Sequence, residues 1–394
     1  MKMKLLLLVN ILFVSLIGKS NRLTPTLSNE AEIYLITCGE GPEIWSHFGH
    51  TGIRVFDPKN NINVVFNYGM FQFGEGFIWQ FAKGKLNYFV SAENADSFKN
   101  FYTQNNRELW QQKFNLSQEK KNEFYQALVL NIKEENKYYL YDFFFKNCAT
   151  QPRDILYNIL RDDLELASHT DVGKVTFRDL VKQGYKNDPW LLLGINLVLG
   201  SKLEKQPTAN ELMFSPLYMS EILAESKIKS TGEKLLGPIE FVNKKGHSKN
   251  IDLSVSKAIT PTLVFWIIFG IAGVLSLLNF KKWHLIFDIT LFTAVGILGV
   301  LLIFMVFFTD HFTASPNFNL LWANPLWIAL PIFLVKKLRQ KYNRVFQIYG
   351  GYILFLAVAW FILPQELPTA IRPIMLALGI RSLSIYKATL LKVF

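Results

Sequence analysis

The chain has 394 residues, of which 50% are apolar and 15% aromatic, with 42 Lys and Arg against 31 Asp and Glu for a formal net charge of +11. Together with a positive mean hydropathy, this composition excludes an ordinary soluble protein of this length and requires that part of the chain lie in lipid.

The first twenty residues, MKMKLLLLVNILFVSLIGKS, place two lysines before an apolar run and close on small and polar residues. That is the layout of a secretory signal or, if uncleaved, of an N-terminal anchor over 1–20. Residues 31–37, 51–57 and 63–71 predict three strands, the last two separated by the turn-like PKNNIN. Ser117 reads as the cap of a helix over SQEKKNEFYQALVLNIKEEN. A further helix starts between Cys148 and Thr150, because Pro152 is tolerated only in a first turn and ILYNIL continues an apolar face. Residues 21–257 are therefore expected to form one exported α+β domain with appended helices.

From Ala258 to residue 394 the composition is that of an all-α membrane domain, with apolar stretches at 259–280, 285–308, 320–335, 345–363 and 372–392, each a candidate to cross about 30 Å of hydrocarbon. The third is short and carries Pro325 and Pro331. The fifth carries Arg381 and Lys387, which suits an interfacial or helix-facing position. Lys281 and Lys282 follow the first stretch and Lys336, Lys337, Arg339, Lys341 and Arg344 follow the third, whereas the loops TDHFTASPNFN and PQELPTAI contain no Lys or Arg. The basic loops are then cytoplasmic, and everything before Ala258 lies on the far side of the membrane. These loops and the basic KKGHSKN (244–250) account for much of the positive charge, which points to anionic lipid and away from nucleic acid.

Cys148 falls where a helix is expected to begin. The unpaired N–H groups and partial positive charge of a helix start favour thiolate over thiol, so Cys148 reads as a nucleophile. It reads equally as a small core residue among aromatics, or as half of a Cys38–Cys148 disulfide in an exported chain. His47 and His50, in EIWSHFGHTGIRV, stand at the start of a strand. A histidine at a strand end, facing a helix that presents cysteine, is the papain-like arrangement, completed by a third polar group that holds the imidazole tautomer. His47-x-x-His50 has no third ligand nearby, so no metal is expected. Spacing alone leaves the three readings of Cys148 open.

The runs SHFGHTGIRVFDP, FNYGMFQF and YYLYDFFFKNCATQPRDIL resemble the exported domain of the Lnb-type bacterial lipoprotein N-acyltransferases, and MFSPLYMSEIL, TDHFTASPNFNLLWANPL and the later apolar segments are similar to the rest of that family. More distantly, H-x-G-I ahead of N-C resembles the circularly permuted papain-like enzymes related to lecithin:retinol acyltransferase. The resemblance implies a permuted papain-like exported domain followed by a polytopic helical membrane domain. It implies an enzyme of the bacterial inner membrane that needs no cofactor and works on the periplasmic side. That enzyme would take an acyl chain from phospholipid through a cysteine thioester to the α-amine of diacylglyceryl-cysteine lipoproteins. Carried over residue by residue, His50 is the base and Cys148 the nucleophile. The lecithin:retinol type has a second histidine on the following strand where this chain has none, so Asn67 and Tyr68 become candidates to orient His50. His47 is an alternative orienter or base, and Cys38, in the similar segment LITCGEG, a candidate accessory residue. The rival readings are a cell-wall amidase or cysteine peptidase of the same fold, and a non-enzymatic membrane scaffold holding a Cys38–Cys148 disulfide.

Overall fold

The computed structural model describes residues 26–244 and 259–390, apart from Phe73, Leu86, Asn279 and Phe280. The signal or anchor segment at 1–20 and most of the basic stretch 244–250 lie outside the described residues.

The three strands expected from the sequence form as β1 (Glu32–Cys38), β2 (His50–Asp57) and β3 (Ile62–Met70). A short helix α1 (Phe77–Ala82), strand β4 (Asn87–Asn94), helix α2 (Ala95–Gln104) and strand β5 (Leu109–Lys113) follow. Helix α3 (Gln118–Asn131) starts at Ser117, whose hydroxyl accepts the Lys120 N–H at 3.2 Å. After β6 (Tyr138–Leu140) comes α4 (Thr150–Leu160), with Pro152 in its first turn. Strand β7 (Leu164–Glu165), helices α5 (Phe177–Gly184), α6 (Pro189–Val198) and α7 (Pro216–Glu225), and strands β8 (Lys227–Ile228) and β9 (Glu240–Asn243) complete the exported part.

Seven strands make one antiparallel sheet in the order β6-β4-β3-β2-β1-β5-β9. Both faces are covered, so β1 reads as a nearly continuous apolar run and not as an alternation. Ile33, Leu35, Ile53, Phe66 and Tyr68 face the larger core, built with Phe124, Leu128, Leu156 and Leu180 of α3, α4 and α5. Ile36, Cys38 and Val65 face a smaller core made with Phe98 and Tyr102 of α2.

The membrane part contains α8 (Pro261–Leu277), α9 (Lys281–Phe307), α10 (Lys336–Ala359) and α11 (Arg372–Leu390). Of these, α9 and α10 contain stretches long and apolar enough to cross a bilayer by composition. The segment 320–335, expected as one span, differs: it is a four-residue helix at Asn319–Trp322 and two 3₁₀ segments, Pro325–Ile328 and Leu330–Leu334. Pro325 and Pro331 cannot donate within a helix and sit at the starts of the 3₁₀ pieces. The broken segment lies against α9, where a Cβ on Gly299 would stand 2.6 Å from the Ala323 carbonyl oxygen. Irregular backbone at membrane depth is tolerated where protein covers it in this way. In α10, Tyr342 leaves helical geometry (φ −117, ψ 24) and separates 336–341, with Lys336, Lys337, Arg339 and Lys341, from a remainder that is apolar beyond Arg344.

Contacts between the two parts agree with the charge bias. The loops without Lys or Arg are the ones that touch the exported domain: the Gly200 N–H donates to the Thr313 carbonyl at 2.8 Å, Asn317 Nδ2 to the Leu197 carbonyl at 2.8 Å, and Lys182 pairs with Glu366. Behind them Arg178, 1% exposed, donates to Glu204 Oε1 at 2.6 Å, Asn196 Oδ1 at 2.6 Å and the Gly200 carbonyl at 2.8 Å. Glu204 also accepts the Glu366 N–H at 3.1 Å.

Arg381 faces other helices and not the interface. It is 1% exposed and holds Asp288 of α9 through Nε–Oδ1 at 2.7 Å and Nη2–Oδ2 at 2.9 Å, with Nη1 on Ser276 of α8 at 3.0 Å. A charge pair away from water is costly to break on one side and cheap to replace on both. Asp288→Ala should therefore lower the stability of the full chain in detergent by on the order of 3–5 kcal/mol. The double variant Asp288→Leu/Arg381→Met should recover most of that loss, measured as the midpoint of thermal unfolding. A double variant as unstable as the single one would deny the pair this role.

Candidate active site

Three segments meet at one end of the sheet. β1 ends at Cys38 and β2 begins at His50, and these two residues are direct register partners. Both face the α2 side, where the His50 ring stacks on Tyr102 with centroids 6.4 Å apart. One strand further, Asn67 lies opposite Gly52 and its Oδ1 is 2.6 Å from His50 Nε2. Asn67 Nδ2 in turn donates to Glu93 Oε1 of β4 at 2.6 Å, and Ser91 Oγ donates to the same oxygen at 3.1 Å. An ionised carboxylate only accepts, so Glu93 sets which end of the Asn67 amide it meets. The amide oxygen is then left for His50, which donates through Nε2 and keeps Nδ1 as an acceptor.

Cys148 arrives at this end of the sheet on the start of α4, held by the residue before it. Asn147 is 4% exposed and every one of its groups is engaged. Its Oδ1 accepts the Ala149 and Thr150 N–H groups at 2.9 Å each, its Nδ2 donates to the carbonyls of Phe143 and Phe214 at 2.8 Å each, and its own N–H donates to Thr150 Oγ1 at 2.8 Å. The turn so made sets Cys148 over the end of β3. There the pairing with β4 becomes irregular between Asn67 and Met70, and Gly69 has φ +83. A Cβ on Gly69 would be strained by that angle and would already touch the Cys148 Cβ at 3.4 Å, so glycine keeps the seat open. The thiol is thus flanked by Gly69, two residues from Asn67, and by the backbone of Thr51, the residue after His50.

Burial pushes the Cys148 thiol up to about 11, against the pull of the backbone N–H groups of Thr51, Cys148 and Ala149 and of the Arg107 guanidinium. Burial also pushes His50 down to about 4, opposed by its hydrogen bond to Asn67 and reinforced by Arg107. The expectation that the helix start leaves a thiolate at neutral pH is corrected here. The amides act in the expected direction, but removal from water outweighs them. The resting pair is a neutral thiol and a neutral imidazole.

The other expected residues are placed differently. Cys38 is 1% exposed, and burial holds its thiol well above the usual range while the Tyr102 hydroxyl donates to it. Both cysteines are free, so no disulfide joins them. His47 turns away from His50: its Nδ1 is 3.3 Å from the Gly184 carbonyl and its ring lies 4.9 Å from that of Tyr185. Tyr68 points to the opposite face of the sheet, where its hydroxyl accepts from Asn131 at 3.0 Å. In the aromatic run before Cys148, Phe144 is a core residue, whereas Phe145 is 37% exposed and lines a cavity of about 760 Å³. Tyr141 and Lys146 line that cavity from the same loop, and Asp310 and Phe312 line it from the membrane side.

Three residues of this site escape sequence reasoning. Asn147 stands in the NC motif, and a polar residue ahead of a helix is a capping signal that would have found it. Glu93 and Arg107 carry no local signal, because the partners that tie them to the site, Asn67 and Gly39, lie 26 and 68 positions away in the chain. Arg107 is 7% exposed, donates twice to the Gly39 carbonyl at 3.1 and 2.6 Å, and lies over the Tyr102 ring at 4.8 Å.

Two family models match the chain: the Lnb N-terminal periplasmic domain over residues 26–183 and the Lnb transmembrane domain over residues 253–392. Together they span most of the chain and leave α6, α7, β8 and β9 between them. No curated protein and no solved structure matches.

A neutral resting thiol has a measurable consequence. Alkylation of Cys148 by iodoacetamide in the native full chain should rise about tenfold per pH unit from pH 7 toward pH 10, because only the thiolate reacts. A rate already level at neutral pH would mean that the thiolate exists before substrate arrives.

Proposed function

We propose, from the premise that the chain belongs to the Lnb family and is an inner-membrane protein with its N-terminal domain in the periplasm, that it is a lipoprotein N-acyltransferase working through Cys148 and His50 on a permuted papain-like exported domain. The observation that carries this reading is the convergence of Cys148 with the ordered row His50–Asn67–Glu93 at one end of the sheet. The 760 Å³ cavity, shared between the loop before Cys148 and the membrane loop at Asp310 and Phe312, adds to it, since it marks where the segment that carries the thiol meets the membrane part.

The first half-reaction begins with Cys148 Sγ attacking the ester carbonyl of a phospholipid while His50 Nδ1 takes the thiol proton. A neutral pair suits this order of events, because proton and bond move together and no thiolate need exist beforehand. The imidazolium that forms is steadied by Asn67, itself held by Glu93. The tetrahedral oxyanion forms next to the Cys148 amide and the Thr51 amide, which already point at sulfur. Collapse expels the glyceryl oxygen, which takes the proton from His50 and leaves as lysophospholipid. In the second half, the α-amine of a diacylglyceryl-cysteine lipoprotein attacks the thioester, His50 accepts the amine proton, and the sulfur leaves and is reprotonated. Amines attack thioesters much faster than oxygen esters, which is the reason to pass the chain through sulfur.

Incubation of the full chain with phospholipid and no amine acceptor should leave an acyl group on Cys148 that neutral hydroxylamine removes, read by mass spectrometry. Cys148→Ser should abolish the adduct while the protein still inserts. His50→Ala should slow its formation by a factor on the order of 10² to 10⁴, the worth of a positioned base. Cys38→Ala should leave it intact. An acyl group on Cys38, or transfer with no covalent intermediate, would overturn the mechanism.

A further inference from the structure

The loop between β3 and β4 carries α1, whose sequence FIWQFA contains four large apolar side chains. None of its residues is buried: Ile78 is 82% exposed, Trp79 55% and Phe81 55%. A water-facing helix with that surface would be an aggregation site, so something apolar covers it.

The helix is fixed in place against the membrane part. The Trp79 ring stacks on Phe304 of α9, with centroids 5.8 Å apart and planes at 20°. His311 Nε2 donates to the Phe81 carbonyl at 3.0 Å, and the Asp310 N–H donates to the Lys83 carbonyl at 2.9 Å. Phe304 lies about one helical turn inside the end of α9, whose last residue Phe307 is 69% exposed and is followed by Phe308 at 68%. Ring contact at that level sets α1 at the depth where a spanning helix leaves the hydrocarbon. Lys83 Nζ sits over the Trp79 ring at 4.6 Å, the pose of a lysine whose stem lies along an apolar surface while its charge reaches the headgroups.

From the other end of α1 the apolar surface continues to the thiol. Phe77 stacks on Phe71 at 5.7 Å, and Phe71 meets the edge of Trp45 at 5.8 Å. Phe71 follows Met70 and the Gly69 seat of Cys148, and Trp45, 60% exposed beside an Ile44 that is 56% exposed, precedes His47 and His50. These rings form one ridge from the membrane helix to the Cys148–His50 end of the sheet.

We infer that α1 is immersed in the outer leaflet of the bilayer, and that the ridge Phe77–Phe71–Trp45 is the surface along which an acyl chain of a phospholipid passes from the membrane to Cys148 without crossing water. The immersion stands on the ring and backbone contacts alone; the passage of the acyl chain rests on the proposed acyl transfer. The continuity of α1 with the lipid-facing end of α9 selects phospholipid as the occupant over a protein partner.

Depth and transfer are tested separately. A nitroxide at Ile78→Cys, in a Cys38→Ala/Cys148→Ser background of the full chain reconstituted in phosphatidylcholine–phosphatidylglycerol vesicles, should collide with oxygen in preference to a polar nickel chelate. Its behaviour should match a label at Phe307→Cys on α9. Chelate-dominated collisions like those of a label at Lys59→Cys would overturn the immersion. In the otherwise native chain, Ile78→Glu should slow acylation of Cys148 from vesicle phospholipid by about tenfold or more, while acylation by a short-chain soluble ester stays within about twofold. An unchanged rate from vesicles, or an equal loss with both donors, would overturn the passage. If the unaltered chain forms no acyl-enzyme at all, the proposed function fails, and the depth measurement still decides the immersion.

Discussion

A single buried amide, Asn147, is the constraint on which the site depends. Its Oδ1 closes the turn that starts α4, and its Nδ2 ties that turn to the carbonyl of Phe143 behind it and of Phe214 before α7. Four groups that would otherwise be unpaired away from water are satisfied by one side chain, so the turn has one geometry and not several. Cys148 is the next residue, and its position over Gly69 follows from that geometry. Because Phe214 belongs to the region between the two family matches, the position of the thiol draws on part of the chain that neither match covers.

The second support is a row of side chains that runs across three strands. Glu93 on β4 orders the Asn67 amide on β3, and Asn67 orders the imidazole on β2. The carboxylate can only accept, which fixes the amide and through it the imidazole, so the tautomer of His50 is decided two side chains away from it. The same burial that makes these bonds strong also keeps His50 uncharged and Cys148 protonated at rest. Arg107 lies close enough to favour negative charge at Cys148 and oppose positive charge at His50.

Placement of this site at the membrane rests on polar contacts together with apolar ones, since Leu193 of α6 is buried in the core of the membrane helices and the Phe145 ring meets Phe312. Arg178 gathers Glu204, Asn196 and the Gly200 carbonyl, and through Glu204 and Gly200 it reaches the two loops that emerge from the helices on the exported side. Inside the helical part, Arg381 and Asp288 fix α8, α9 and α11 to each other, where the absence of water makes an unpaired charge too costly to leave. The broken segment 320–335 is accommodated because it is covered by α9 and α10.

What the sequence determined by itself is what local patterns encode. The strands at 31–37, 51–57 and 63–71, the Ser117 cap and the helix start beside Pro152 follow from side-chain period and backbone chemistry. The side on which the domain lies follows from the placement of Lys and Arg between apolar stretches. The two motifs were enough to nominate Cys148 and His50, and Asn67 as an orienter. Tertiary structure alone decided the rest, since it depends on partners distant in the chain. Asn67 and Tyr68 are adjacent in sequence and equally polar at their tips, yet the pleat sends one to His50 and the other to Asn131, and the direction of the sheet cannot be read from a single strand. His47 and His50 differ in the same way, one turned to Gly184 and the other into the row that Glu93 orders. The protonation of the thiol does not follow from the helix start, because the amides are local whereas the loss of water is the sum of everything packed around them.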